Sequence, residues 1–164
     1  MRSISPVTRR RLAMQGFVGL DNTALIELAP WLRLAPTICA GWIAIGNLLA
    51  SPAALWALMP FTALGAMQAR HPLDLLYNYG IRYLLRTRPI PRYGAPRRFT
   101  CGLATVWLGI TGWAYYLDAM SVGYALGMTQ TIIAFIASTT DFCIPSFFYG
   151  LLFGKPAACA PTRM

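Results

Sequence analysis

The distribution of arginine along this chain constrains its fold more than any other feature. Four apolar runs, at 31–50, 53–69, 99–117 and 120–140, alternate with polar segments. All fourteen lysines and arginines fall before, between or after the two pairs of runs, or at the entry to a run, as Arg33 does. The short turns inside each pair, at Ser51-Pro52 and at Asp118-Ala119, carry none. A helix needs roughly 20 apolar residues to cross about 30 Å of hydrocarbon. The runs match that length, and the second is short enough that its ends must reach the headgroup layer. The spacing therefore predicts an all-α integral membrane protein with four transmembrane helices in two antiparallel hairpins. Pro60, inside the second run, is expected to bend its helix.

Four crossings put the segments before, between and after the hairpins on one side. Basic residues mark the cytoplasmic face, so the reading is a multi-pass membrane protein with both termini cytoplasmic. Composition agrees. Hydrophobic residues are 57% and charged residues 12%, against about 25% charged in a soluble domain. The net charge of +9 is thus read as membrane orientation, and no basic stretch has a nucleic-acid-binding pattern. The expected organisation is a basic cytoplasmic arm at 1–30, a four-helix transmembrane domain at 31–154 with a cytoplasmic loop at 70–98, and a cytoplasmic tail at 155–164. The arm's TRRRLAMQGFVGL has the basic start of an export signal, but no clear A-x-A-like cleavage site follows, so it is read as retained.

Within the loop, HPLDLLYNYGIRYLLRTRP predicts an amphipathic helix lying in the interface. Leu73, Leu76, Tyr77, Gly80, Ile81 and Leu84 fall on one face, and Arg82 and Arg86 on another. With Arg88 and Arg92 these arginines are candidates for contact with anionic lipid or a protein partner. RTRPIPRYGAPRR then reads as an extended connector, because its prolines oppose a helix.

Few residues offer chemistry. Cys143, in TTDFCIPSFFYG, is the weak catalytic candidate: Pro145 could open a short helix whose N-terminus lowers the thiol pKa, while Asp141 works against that. Asp141 is expected in a structural ion pair or cap with Arg33, Arg97 or Arg98, since an acid at membrane depth is usually paired. His71, the only histidine, is a weak cofactor-binding candidate. Cys39, Cys101, Cys143 and Cys159 all fall towards the arginine-bearing side, but their spacing fits no metal or haem-attachment pattern. Gly123 and Gly127 form a small-xxx-small face suited to close helix packing.

LDNTALIELAPWLRLAPTI, HPLDLLYNYGIRYLL, APRRFTCGLATVWLG and TTDFCIPSFFYGLL together resemble a bacterial family, domain of unknown function 4395, over roughly residues 20–154. Pro96 to Phe99 and Phe142-Cys143 with the aromatic run behind it are its most specific pieces. The resemblance implies a small protein of the bacterial inner (cytoplasmic) membrane, some relatives standing beside or fused to thioredoxin-like or rhodanese-like domains, and a Phe-Cys-x-x-Cys motif in many. Ser146 stands here where the second cysteine would fall. A lone thiol cannot cycle to an intramolecular disulfide.

The expected function is a non-catalytic accessory or assembly subunit of a larger inner-membrane complex, respiratory or photosynthetic. Its partners would be other integral membrane subunits and anionic lipid, not nucleic acid. A thiol-redox or sulfur-handling protein using Cys143 and a small transporter are the alternatives. No metal or cofactor is predicted, bound lipid is expected, and a pigment or haem contact at a subunit interface stays open.

Overall fold

A computed structural model of the chain describes residues 4–17, 19–68 and 70–154. The expected tail, with Lys155, Cys159 and Arg163, lies outside the described residues, as does Arg2 of the arm. The described residues are helical, with no strand among them. In order they form α1 (Pro6–Met14), α2 (Asn22–Leu32), α3 (Leu34–Leu48), α4 (Pro52–Met67) and α5 (Pro72–Leu76). A π-helical turn (Tyr77–Ile81), α6 (Arg82–Leu85), α7 (Ala95–Tyr116), α8 (Met120–Thr140) and α9 (Ile144–Phe153) follow. Two stretches, Asn22–Leu48 and Met120–Thr140, are long and apolar enough to cross a membrane.

The helix boundaries have local causes. Ser51 accepts a hydrogen bond from the Ala54 N–H and Pro52 occupies the first turn, an N-terminus suited to proline. Asp118 and Asp141 end α7 and α8 with left-handed backbone (φ 55° and 56°), a conformation in which aspartate is enriched. α7 starts at Ala95, ahead of the expected residue 99, because Pro96 sits in its first turn, where a missing N–H costs little.

α3, α4, α7 and α8 form a four-helix ring in which α3 and α7 each pack on both α4 and α8. Leu55, Leu58, Ile43, Leu108 and Tyr115 form one cluster of its core. Close approach of α3 and α8 depends on Gly127, where an added Cβ would lie 2.1 Å from the Asn47 Oδ1. Asn47 instead donates to the Thr131 Oγ1 at 2.8 Å and accepts from the Tyr115 hydroxyl at 3.4 Å. Such interhelical bonds satisfy polar groups that an apolar surrounding leaves no other partner.

A second core lies beyond one end of the ring. Leu12, Phe17, Leu25, Leu28 and Leu32 of the N-terminal segment close over Tyr77, Ile90 and Tyr93. The arm is thus two helices packed onto the loop that joins α4 to α7. That loop also departs from a single amphipathic helix. The π turn shifts its register, so Asp74, Tyr77 and Asn78 point inward while Leu76, Tyr79, Tyr83 and Leu84 point out. Asn78 clamps the extended connector, accepting from the Ile90 N–H at 2.8 Å and donating to the Ile90 carbonyl at 3.5 Å.

Candidate functional site

The Pro-Arg-Arg-Phe segment organises the junction between the ring and its cap. Pro96 opens α7. Arg97, 6% exposed, donates through Nη2 to the Leu32 carbonyl at 2.8 Å, at the C-terminus of α2. Arg98 donates to the Ala66 and Met67 carbonyls, both at 2.9 Å, at the C-terminus of α4. Phe99 packs at a tilt against Tyr149 and edge to face with Phe153 of α9. A guanidinium at a helix C-terminus satisfies orphan carbonyls and complements the negative end of the helix dipole. Adjacent arginines thereby tie α7 to two different helices.

The end of α8 is held in the same way from another direction. Arg33, between α2 and α3, pairs with Asp141: Nε donates to Oδ1 at 2.6 Å and Nη2 to Oδ2. Arg11 donates to the Thr140 carbonyl at 2.7 Å, and the Gln15 amide to the Asp141 carbonyl at 2.6 Å. Of the arginines proposed as partners of Asp141, Arg33 meets it, whereas Arg97 and Arg98 are committed to carbonyls. Among the loop arginines, Arg88 stays exposed and reaches the N-terminal segment, its side chain pairing with Asp21 at 3.3 Å and its backbone N–H donating to the Glu27 carboxylate at 2.7 Å. Arg82 lies over the Tyr83 ring, and Arg86 ends α6 with left-handed backbone.

Above this junction the ring holds a half-open cavity of about 160 Å³. Cys39 from α3, Cys101 from α7 and Cys143 before α9 all line it, joined by His71, Tyr93 and Arg97. The three cysteines are free thiols. Cys143 Sγ lies 3.4 Å from the Thr100 Oγ1, which also sits 3.1 Å from the Ser146 hydroxyl. Gly65 makes room for this wall: an added Cβ would meet the His71 ring at 2.7 Å and the Cys101 sulfur at 3.1 Å. Arg97 stacks over Tyr93 at 4.4 Å and over Phe17 at 5.1 Å, and donates weakly to the Gln15 Oε1 at 3.5 Å.

His71 caps α5, accepting the Leu73 N–H at its Nδ1 at 3.3 Å. Burial pushes its pKa down to about 4, and the Arg97 cation pushes the same way. Behind it Asp74 is buried with both carboxylate oxygens lacking a hydrogen bond of normal geometry. Burial raises its pKa, while Arg97 and the Tyr93 hydroxyl pull it back. Burial likewise lifts Tyr93 well above the usual tyrosine range. Among the described residues no three of these or other Cys, His, Asp or Glu side chains are placed together to hold a metal ion.

The cavity gathers side chains that a reading of the sequence left apart. Tyr93, Gln15 and Thr100 gave no signal as site residues, and Ser146 was marked only as the position of the family's second cysteine. Thr100 and Ser146 face each other across α7 and α9, a pairing with no trace in local sequence.

The fold and junction define a helical bundle with an arginine-floored interior cavity. The chain belongs to the family described as Domain of unknown function (DUF4395), whose model matches residues 29–153. No curated protein and no solved structure matches it.

Proposed function

We propose that the protein is a non-catalytic accessory subunit of a larger bacterial inner-membrane complex. It crosses the bilayer four times, through α3, α4, α7 and α8, with both termini in the cytoplasm. The capping bonds of Arg11, Arg97 and Arg98 gather positive charge at one end of the ring, which the positive-inside rule orients to the cytoplasm. α4 has 16 residues, about 24 Å of helix, so it fits a locally thinned bilayer or one that its flanks reach across.

The observation that carries the subunit reading is the outer face of the loop between α4 and α7. Leu76, Tyr79, Tyr83 and Leu84 are exposed there, Leu84 at 86%, outside the four proposed spans and beside Arg82 and Arg86. A contiguous apolar patch rimmed by charge marks a protein or membrane contact. Native mass after mild detergent extraction at natural expression tests it. The expected result is a complex larger than the chain, which Tyr83→Glu with Leu84→Glu dissociates. A solitary chain, or a complex indifferent to both substitutions, would overturn the reading.

A second reading, sulfur or thiol handling, is favoured by the convergence of three thiols on one cavity. Cys143 is its reactive candidate, at the N-terminus of α9. Alkylation of Cys143 followed against pH decides it. Reaction no faster at neutral pH than that of a free peptide thiol removes the chemical case.

A further inference from the structure

The cavity has a cation at one end and an unanswered acceptor on another wall. Arg97 is buried, and among the described residues its guanidinium makes no ion pair. Its hydrogen bonds go to a carbonyl and, at the long limit, to an amide oxygen. Gln130 of α8 is also buried and lines the cavity. Its amide nitrogen donates to the Ala104 carbonyl at 3.4 Å, but its Oε1 meets no donor. Buried polar atoms are nearly always partnered, so an orphan on a cavity wall points to something that fills the cavity.

The dimensions restrict what that is. Ala104 lies seven residues along α7 from Arg97, about 10 Å by the helical rise. Between the two ends the lining is apolar, from Ile43, Leu103, Trp107 and Ile133. The volume of about 160 Å³ is close to that of an engineered protein cavity, about 150 Å³, that admits benzene. The guanidinium is a planar fork of donors matched to a carboxylate, and the Gln130 oxygen calls for a hydroxyl or amine donor.

We infer that the bundle cavity binds a small organic monoanion of about benzene's bulk, with its carboxylate on Arg97 and a hydrogen-bond donor at its far end on Gln130. The site goes beyond the docking role of the outer loop face and does not depend on Cys143 reacting with anything. Its occupant gives Arg97 a directly bonded carboxylate, where Asp74 acts on the guanidinium only through space, and pairs the Gln130 oxygen, while its apolar body covers the middle of the ring.

The test uses the full chain in mild detergent with three probes: 4-hydroxybenzoate, benzoate and the neutral isostere 4-hydroxybenzamide. Calorimetry is expected to rank them in that order, the hydroxy acid at least about tenfold tighter than the amide, because only the acid forms a charge-assisted pair with Arg97. Gln130→Leu is expected to abolish the preference for the hydroxy acid over benzoate while leaving benzoate binding within about twofold. Arg97→Gln is expected to weaken both acids at least about tenfold. Should that variant not fold, Arg97→Lys keeps the charge and loses the fork, and an intermediate loss is expected. In the unaltered protein, 4-hydroxybenzoate should slow maleimide labelling of Cys101, and the amide should not. Equal affinity for acid and amide, or no saturable binding below about 10 mM, overturns the inference. So does a Gln130→Leu variant that keeps the full preference for the hydroxy acid.

Discussion

Arg33 and Asp141 are 108 positions apart in sequence and form a two-point ion pair, Nε on Oδ1 and Nη2 on Oδ2. The pair is lopsided: the carboxylate side chain is 3% exposed and the arginine 40%. Removing either partner is therefore not equivalent. Arg33→Met leaves a buried carboxylate unpaired, whereas Asp141→Asn leaves a guanidinium that can still reach water. A broken buried pair costs about 3–5 kcal/mol, and the half-exposed arginine scales that down to about 2 kcal/mol for Arg33→Met. Asp141→Asn keeps a residue that tolerates the left-handed backbone at this position and is expected to cost less than half as much. Thermal unfolding in detergent measures both, and equal losses would count against the asymmetry.

The contact between α3 and α8 supplies a second prediction. At Gly127 a Cβ would fall 2.1 Å from Asn47 Oδ1, so Gly127→Ala must displace the Asn47 side chain and break its bond to Thr131. Overpacking of this kind costs about 1–3 kcal/mol. Asn47→Ala empties the space the new methyl needs. The double variant is therefore expected to lose less than the sum of the two single losses, by at least about 1 kcal/mol. Additive losses would show that the two positions do not compete for the same volume.

What the sequence made legible follows from how local each cause is. α8 is read to the residue at 120–140 because its apolar run is bounded by Asp118 and Asp141, both of which end helices. The short helix after Cys143 is legible from Pro145 in the same way. The start of α7 was misplaced because Pro96 has two meanings, breaker in an interior and starter in a first turn. The packed arm was not legible at all. Leu25, Leu28 and Leu32 find their partners in Tyr77, Ile90 and Tyr93, 45 to 68 positions on, and no local pattern announces that meeting. The cavity is hidden for the same reason. Cys39, Cys101 and Cys143 belong to separate elements, and only the rotation of each helix in the ring turns their sulfurs to one space.

His71 gives a prediction in pH. Its imidazole is 3% exposed and its pKa is held down to about 4 by burial and by Arg97, against about 6.5 in an unfolded chain. Between these values the unfolded state binds a proton that the native state refuses. Stability therefore falls as pH drops from about 6.5 to about 4, by about 3 kcal/mol in all, and levels off below. Asp74 works in the opposite sense, because its raised pKa lets the native state take up a proton first as pH falls. His71→Asn retains an acceptor for the Leu73 N–H and removes the acid-side loss. Unfolding measured from pH 4 to pH 7 should show a flatter or reversed slope in that variant, and an unchanged slope would place the responsible proton elsewhere.

Ser146 stands where many relatives are expected to carry a second cysteine, and the geometry says what such a residue would do here. The Ser146 hydroxyl and the Cys143 sulfur flank one atom, the Thr100 Oγ1, at 3.1 and 3.4 Å. The two residues sit three apart at the N-terminus of α9, a spacing that puts Cα atoms about 5–6 Å apart, inside the range a disulfide spans. Ser146→Cys is thus expected to form an intramolecular bridge to Cys143 under mild oxidation, with loss of two hydrogens in the intact mass and loss of Cys143 alkylation. Reduction should restore both. The bond to Thr100 that Ser146 now makes is weakened by sulfur, a poorer donor and acceptor, so the reduced variant should be less stable than the parent by about 1 kcal/mol and the oxidised one should recover it. A variant whose two thiols stay free under an oxidant that bridges a Cys-x-x-Cys peptide would mean that α9 does not present these positions to each other.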